Sequence, residues 1–355
     1  MLKILKNEWT VLVIAVVAGL STGLLLNIGA NPVLTFTLGA VALSTLATVV
    51  GHATEQLGHY MGPGATGVLQ SAIGNLPELF VAFFALQAGL VTVVQSALVG
   101  SILANSLLVL GLAFFFGGWK HGVQKFKSET PRAIVVLMVL AISALVMPTL
   151  AHSLHTPASA HESSLSVASA IVLLAIFIAS IPLSLQGGSI VETGHTPDEK
   201  EKPWSLRRIV TVLVIAGGLA AFVSDWFVQA LEPAIEILHI SQAFAGLVVI
   251  AIAGNAVENV VGIQLALKNK ADYAVSVILN SSLQIALALT PILVLLSFFF
   301  TSTVLTLVLP PLLVVALILT ALLNAFIVYD GESNWLEGLA LIGLYVMIAI
   351  SFWWG

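Results

Sequence analysis

Long apolar runs alternate along this chain with short polar breaks, and each run is close to the twenty or so residues that a helix needs to cross a bilayer. The runs fall near 9–29, 33–59, 64–89, 91–117, 133–151, 164–185, 206–230, 241–267, 272–298, 302–328 and 335–354. This pattern predicts an all-α integral membrane protein of about eleven transmembrane helices. Gly29-Ala30-Asn31-Pro32 and Gly62-Pro63-Gly64 supply the turns between early runs. The first run is too long for a signal peptide and has no convincing Ala-x-Ala site, so it is expected to stay as a span.

Composition agrees with the pattern. The chain is 59% hydrophobic and 8% charged, with a mean hydropathy of +1.09, far from the usage of a soluble domain. The twelve Lys and Arg residues test the direction of crossing, because cytoplasmic loops hold an excess of them. With the N-terminus cytoplasmic, Lys3, Lys6, Lys120, Lys125, Lys127, Arg132, Lys200, Lys202, Arg207, Arg208, Lys268 and Lys270 all fall on the inner side. The outer connections hold His152, His155, His161, Glu162, Glu232, Glu236 and His239 instead. Trp119, Trp204, Trp335, Trp353 and Trp354 stand near span ends, where interfacial anchors belong. The reading places the protein in the cell membrane as a multi-pass protein with an external C-terminus.

Polar positions inside the apolar runs carry the chemistry. Gly74-Asn75-Leu76-Pro77-Glu78 in the third run returns as Gly254-Asn255-Ala256-Val257-Glu258 in the eighth, 180 positions later. A carboxylate in hydrocarbon is costly, so two in matching contexts mark a functional site. Gly100-Ser101-Ile102-Leu103-Ala104-Asn105 is likewise answered by Asn280-Ser281-Ser282-Leu283-Gln284. Five spans separate the two motifs, an odd number, so their helices cross in opposite directions. This predicts inverted five-helix repeats with a shared site near the midplane. The expected units are an extra N-terminal helix (1–32), a first repeat (33–185), a cytoplasmic linker (186–205) and a second repeat (206–355).

On a helix, Asn75 and Glu78 share a face, as do Asn255 and Glu258; Ser101 with Asn105, and Ser281 with Gln284, are similarly spaced. Two such helix pairs meeting head to head offer two carboxylates, amide and hydroxyl oxygens, and any carbonyls freed by Pro77. An all-oxygen cage with two negative charges suits Ca²⁺ best and Mn²⁺ next. Desolvation penalises the charged form of a carboxylate, so each acid takes up a proton when the metal leaves. Metal and protons then compete for one site, which is exchange. Gly19, Gly23, Gly39, Gly217 and Gly218 are expected to let neighbouring helices slide closely.

The paired Gly-Asn-x-x-Glu helices, each followed by a polar helix, resemble the cation/proton exchanger family of calcium/proton antiporters, in the wider calcium/cation antiporter superfamily. The matching stretches are Gly74 through Gly111 and Gly254 through roughly Ser297. Span count and a charged central linker are similar too. The resemblance implies that the ion-binding glutamates are Glu78 and Glu258, and that the polar ligands are Asn75, Asn255, Ser101, Asn105, Ser281 and Gln284. It implies a secondary transporter exchanging Ca²⁺ for H⁺ by alternating access, not an enzyme, with Ca²⁺ and H⁺ as transported substrates and no cofactor. Three departures stand out: Asn259 where the family often has His, Asn280 where it usually has Gly, and a linker whose acids are only Glu192, Asp198, Glu199 and Glu201.

Competing readings rest on other residues. A sodium-driven exchanger of the same superfamily would want added acids in the polar helices, where Asn105 and Gln284 stand. His52, Glu55 and His59 at i, i+3 and i+7 are compatible with a membrane-embedded metallo-hydrolase, but they form no His-Glu-x-x-His signature and have no counterpart in the second half. A passive cation channel is a fourth reading. With no cysteine there is no disulfide framework or thiolate metal site. The net charge of −5 gives no argument for nucleic acid. The lipid bilayer is the expected surrounding, and a homo-oligomer is compatible with the sequence.

Overall fold

The computed structural model describes residues 8–60, 73–185, 203–301 and 303–354. Almost all of them are helical, as a chain must be when no water is at hand to satisfy its amides. The helices are α1 (Glu8–Asn27), α2 (Pro32–Leu57), α3 (Leu76–Gln87), α4 (Val91–His121), α5 (Glu129–Ser153), α6 (Glu162–Leu185), α7 (Leu206–Leu238), α8 (Gln242–Gly254), α9 (Ala256–Leu267), α10 (Ala271–Phe300), α11 (Pro311–Ile327) and α12 (Trp335–Ser351). Seven of them, α1, α2, α4, α5, α6, α7 and α10, are long and apolar enough to cross a membrane. The bent pair α8 and α9 makes an eighth, and α3, α11 and α12 are shorter apolar helices.

Each expected apolar run therefore has its helix, with α8 and α9 sharing one run. Residues 64–72 of the third run lie outside the described residues. Glu232 and Glu236, expected in a connection, belong to the last turns of α7. α2 to α6 lie within residues 32–185 and α7 to α12 within residues 206–351. The repeat extends to backbone detail: α4 widens into a π-helix at Ala104–Val109 and α10 does so at Ile285–Leu289. α4 and α10 are the most buried of the long helices, while α6 and α7 are the least. The polar helices thus form the centre.

The run at 302–328 is the clearest departure from expectation. Its helix begins only at Pro311, because Pro311 has no amide hydrogen and disfavours helical backbone at the residue before it. Residues 303–310 lie instead in non-helical chain whose Leu305, Leu307 and Leu309 are buried in alternation. Buried amides there need partners, and side chains supply them. Ser297 Oγ accepts from Leu305 N (2.9 Å), Ser166 Oγ from Leu307 N (2.9 Å) and Thr149 Oγ1 from Leu309 N (2.8 Å). Gln95 Nε2 donates to the carbonyls of Thr306 (2.9 Å) and Val308 (3.0 Å), and Thr149 Oγ1 to that of Leu307 (2.9 Å).

Connections alternate between two ends of the bundle. At one end, Gln124–Lys125 (β1) pairs antiparallel with Glu332–Ser333 (β2). Lys120 Nζ donates to the Leu267 carbonyl at 3.0 Å, and Gln124 Nε2 to the Ala266 carbonyl at 3.0 Å. Lys125 pairs with Glu332 at 2.9 Å. Arg132 donates to the Tyr329 carbonyl and lies 4.8 Å from that ring's centroid. The connections bearing Lys120, Lys125, Lys127, Arg132, Lys268 and Lys270 thus meet at this basic end. At the opposite end the α7–α8 turn binds the C-terminal residues, Ser241 N donating to the Trp353 carbonyl at 3.1 Å.

Glycines set two close approaches around the centre. A Cβ on Gly100 of α4 would sit 2.4 Å from the Leu247 carbonyl oxygen of α8, and one on Gly246 would sit 2.4 Å from that of Val93. The two helices touch backbone to backbone, as small residues permit in membranes. Gly19, Gly23 and Gly39 likewise face Val223, Trp226 and Phe227 of α7 at close range. Gly217 and Gly218 have no such close neighbour, so the expected sliding contact is limited to the first three.

Candidate functional site

Both repeats break at the motif asparagine. Asn255 ends α8 and precedes α9 with φ −92° and ψ 24°; Asn75 precedes α3 with φ −88° and ψ 10°. These values lie in the bridge region, sparsely populated and common at functional sites. α8 and α9 are bent by 61° across the break. Neither asparagine caps the helix it precedes with its side chain, although capping is what an asparagine there commonly does. The amides are released for other partners. Glu78 stands in the first turn of α3, where the positive helix terminus favours a carboxylate. Glu258 occupies the matching backbone position in α9; its side chain lies outside the described residues.

The Glu78 carboxylate is buried and held from the other helices of both repeats. Ser101 Oγ of α4 donates to Oε1 at 2.8 Å, and Asn255 Nδ2 donates to the same oxygen at 2.6 Å. That nitrogen also lies 2.9 Å from Ser101 Oγ and 2.9 Å from the Ala251 carbonyl. Gly254 makes room: a Cβ there would meet Glu78 Cγ at 2.4 Å and Oε1 at 2.6 Å. The glycine of the second motif is therefore the floor beneath the glutamate of the first. A cavity beside the carboxylate is lined by Leu43, Pro77, Val81, Phe227, Ile250, Ala253 and Gly254.

Asn105 extends the network across the molecule. Its Nδ2 donates to Asn255 Oδ1 at 3.0 Å and to Ser281 Oγ of α10 at 2.9 Å. Five of the expected site residues, Glu78, Ser101, Asn105, Asn255 and Ser281, thus form one hydrogen-bonded set. Asn75 is buried, but its Nδ2 has no hydrogen-bond partner among the described residues. Gln284 is half-buried and makes no side-chain hydrogen bond to the set among the described residues. Asn280 is buried, and Asn259 Oδ1 has no hydrogen-bond partner among the described residues. Sequence reasoning missed Ser106 and Ser282, both fully buried, whose hydroxyls meet at 2.9 Å between α4 and α10. Their adjacency to Asn105 and Ser281 was the available signal.

The donor atoms facing one another are carboxylate, amide and hydroxyl oxygens, the hard ligands that Ca²⁺ takes. In this arrangement Asn255 turns its nitrogen toward Glu78 and its oxygen toward Asn105. To ligate a cation at Glu78, Asn255 would have to turn its amide oxygen toward the carboxylate, which its present hydrogen bond to Oε1 does not allow. The His52 cluster is occupied differently. His52 Nδ1 lies 3.5 Å from Glu55, and its ring meets that of Trp204 edge-on with centroids 5.4 Å apart. Among the described residues no group of three His, Cys, Asp or Glu side chains is placed to hold a metal.

The family model described as sodium/calcium exchanger protein matches residues 31–186 and 208–354. The chain is 36% identical over 323 residues to the Ca²⁺/H⁺ antiporter ChaA of Bacillus subtilis (strain 168), covering 89% of this chain and 91% of that protein. It is 32% identical over 333 residues to vacuolar cation/proton exchanger 3 of Oryza sativa subsp. japonica, covering 90% and 80%. Among solved structures, the selenium-substituted Ca²⁺/H⁺ antiporter protein YfkE superposes with a TM-score of 0.80 at 30% identity, over 97% of this chain and 99% of that one. The H⁺/Ca²⁺ exchanger CAX, at 19% identity and a TM-score of 0.75, covers 98% and 92% and shares the fold.

Proposed function

Because the chain belongs to the sodium/calcium exchanger protein family, we propose that it is a Ca²⁺/H⁺ antiporter working by alternating access, with Glu78 and Glu258 binding either the cation or protons. The observation that carries this reading is the buried Glu78 carboxylate, held by Ser101 and by Asn255 from the opposite repeat. Asn105, Ser281 and Asn75 complete the oxygen set, and Gln284 joins it only if α10 turns. Relatives that include Ca²⁺/H⁺ antiporters and vacuolar cation/proton exchangers support the choice of protons over sodium as the driving ion.

The coupling follows from charge. Two carboxylates in a low-dielectric centre are costly unless neutralised. One Ca²⁺ neutralises both; so do about two protons by charge balance. A site that is empty and doubly charged cannot take part in the movement between faces, so each crossing carries one cargo or the other. The hydrogen bonds from Asn255 and Ser101 to Oε1 stabilise Glu78 without a cation. When Ca²⁺ enters, the Asn255 amide turns and these bonds are replaced by coordination.

Seven long apolar helices make this a multi-pass membrane protein. The basic end is taken as cytoplasmic by the excess of Lys and Arg there, and the membrane as the cell membrane, with Ca²⁺ leaving as H⁺ enters. The repeats are assigned to 33–185 and 206–355, the extra helix to 1–32 and the linker to 186–205. The test is Ca²⁺ uptake into proteoliposomes under an imposed pH gradient with Na⁺ absent. Uptake that follows the gradient and is lost in Glu78→Gln and Glu258→Gln is expected; uptake that needs Na⁺ would replace this reading with the sodium-driven one.

A further inference from the structure

Beside the site, a second polar seam lies between α4, α5, α10 and α11. Ser106 Oγ is 2.9 Å from Ser282 Oγ and 4.0 Å from Met138 Sδ, and Ser282 Oγ reaches the Ile102 carbonyl at 3.4 Å. On α11, Thr320 and Asn324 are one turn apart and fully buried. Thr320 Oγ1 and both Asn324 side-chain polar atoms have no hydrogen-bond partner among the described residues.

The register of the helices brings these groups to one level. Ile102 of α4, Leu145 of α5 and Leu317 of α11 line one small cavity. α4 and α11 run in the same direction, so one turn further on Ser106 and Thr320 are level. α5 runs the opposite way, and its Met138, two turns from Leu145 toward the basic end, reaches Ser106 with its side chain, Sδ lying 4.0 Å from Oγ. Contacts at both ends of α5 hold this alignment: Arg132 to the Tyr329 carbonyl, and Thr149 to Leu307 and Leu309. α11 also packs directly on the π-helical turn that contains Asn105 and Ser106. Asn324 lies one further turn toward the basic end.

A buried polar atom with no partner is costly, and an amide plus a hydroxyl supply the two to four partners that a buried water needs. We propose that Asn324, Thr320 and Ser106 hold ordered water, and that this water carries protons between the basic end and the Asn105–Ser281 side of the exchange site. The proposal rests on the Ca²⁺/H⁺ reading. Each water accepts a proton on a lone pair and releases another to its neighbour, so charge moves and no bond stays broken. Asn105 Oδ1, buried and with no hydrogen-bond partner among the described residues, accepts a hydrogen bond from the last water of the route and orients it, while the proton itself passes on to a carboxylate of the exchange site.

X-ray radiolysis of the full chain in lipid nanodiscs, read by mass spectrometry, tests the water, because radicals born from bound water oxidise an adjacent methionine. Met138 is fully buried, yet its oxidation is expected in the natural protein and should fall severalfold in Asn324→Leu. In proteoliposomes the same variant should lose most of its maximal Ca²⁺/H⁺ exchange rate at an unchanged KM for Ca²⁺, with Asn324→Ser restoring it. Thr320→Val serves as the second variant and is expected to act in the same direction. An unlabelled Met138, labelling indifferent to Asn324→Leu, or exchange at the natural rate in that variant overturns the proposal. If the natural protein exchanges no Ca²⁺ for H⁺, the transport reading falls on its own, and Met138 labelling still decides whether the seam is wet.

Discussion

The side chain of Glu78 lies over the α-carbon of Gly254, so close that a methyl group on that carbon would stand 2.4 Å from Glu78 Cγ. The motif glycine of one repeat is shaped to the motif glutamate of the other. Gly254→Ala must therefore displace either Glu78 or the break after α8. Overpacking of this kind costs about 1–3 kcal/mol, about fivefold to a hundredfold in the population of the competent site. The expected result is a Ca²⁺ transport rate at least about fivefold lower, with expression and helical content retained. Transport at the natural rate would mean that Glu78 does not work from this position.

Among the described residues of the central set, Asn105 donates to both the α8–α9 break and α10. Removing it leaves Asn255 Oδ1 and Ser281 Oγ without their donor, a loss of about 1–3 kcal/mol for buried groups. Asn105→Ala should lower the melting temperature by several degrees and weaken Ca²⁺ transport. Ser106→Ala removes only one side of a hydroxyl pair and should cost less than Asn105→Ala in the same thermal scan. The reverse order would remove Asn105 from its bridging role.

Gln95 supplies the side-chain donors for the carbonyls of Thr306 and Val308 in the non-helical segment before α11. Gln95→Leu should destabilise that segment locally, visible as faster amide hydrogen exchange over residues 303–310 while the Glu78 region keeps its protection. Uniformly unchanged exchange would show that the segment is held by Thr149, Ser166 and Ser297 alone.

That segment also shows where sequence reading stops. Apolar composition marks Thr303 to Leu309 as part of a span, and only the alternation of Leu305, Leu307 and Leu309 ahead of Pro310-Pro311 hints at extended chain. Its partners, Gln95, Thr149 and Ser166, are more than a hundred positions away, beyond any local pattern. The central motifs were legible for the opposite reason. Repetition at 180 positions pairs like with like, and it finds Asn75 with Asn255 and Ser101 with Ser281. It misses Ser106 and Ser282, which meet across the interface of the repeats while their own repeat equivalents are Ala286 and Ile102. Gln284 enters by its spacing from Ser281 and by the resemblance, but its placement depends on the π-helical turn that begins at the next residue.

Ser44 and Ser224 occupy the same position in the two repeats, 180 residues apart, but their surroundings differ. Ser44 Oγ donates to the Ala40 carbonyl at 2.8 Å and lies 3.2 Å from the Ala253 carbonyl, just before the break in the second repeat. Ser224 is fully buried, and its hydroxyl has no hydrogen-bond partner among the described residues. In a transporter of inverted repeats the two facing states arise by exchange of conformation between the halves. Ser224 should then reach the Ile73 carbonyl in the opposite state, as Ser44 gives up Ala253. One hydrogen bond of about 1 kcal/mol shifts such an equilibrium about fivefold. Ser44→Ala is expected to move the population toward the opposite-facing state, and Ser224→Ala to move it toward the state seen here. The chain contains no cysteine, so single cysteines placed along α2 and α7 report which face is open through their labelling rates. Shifts of opposite sign in the two variants are the expected outcome; shifts of the same sign, or none, would mean that these serines do not exchange roles.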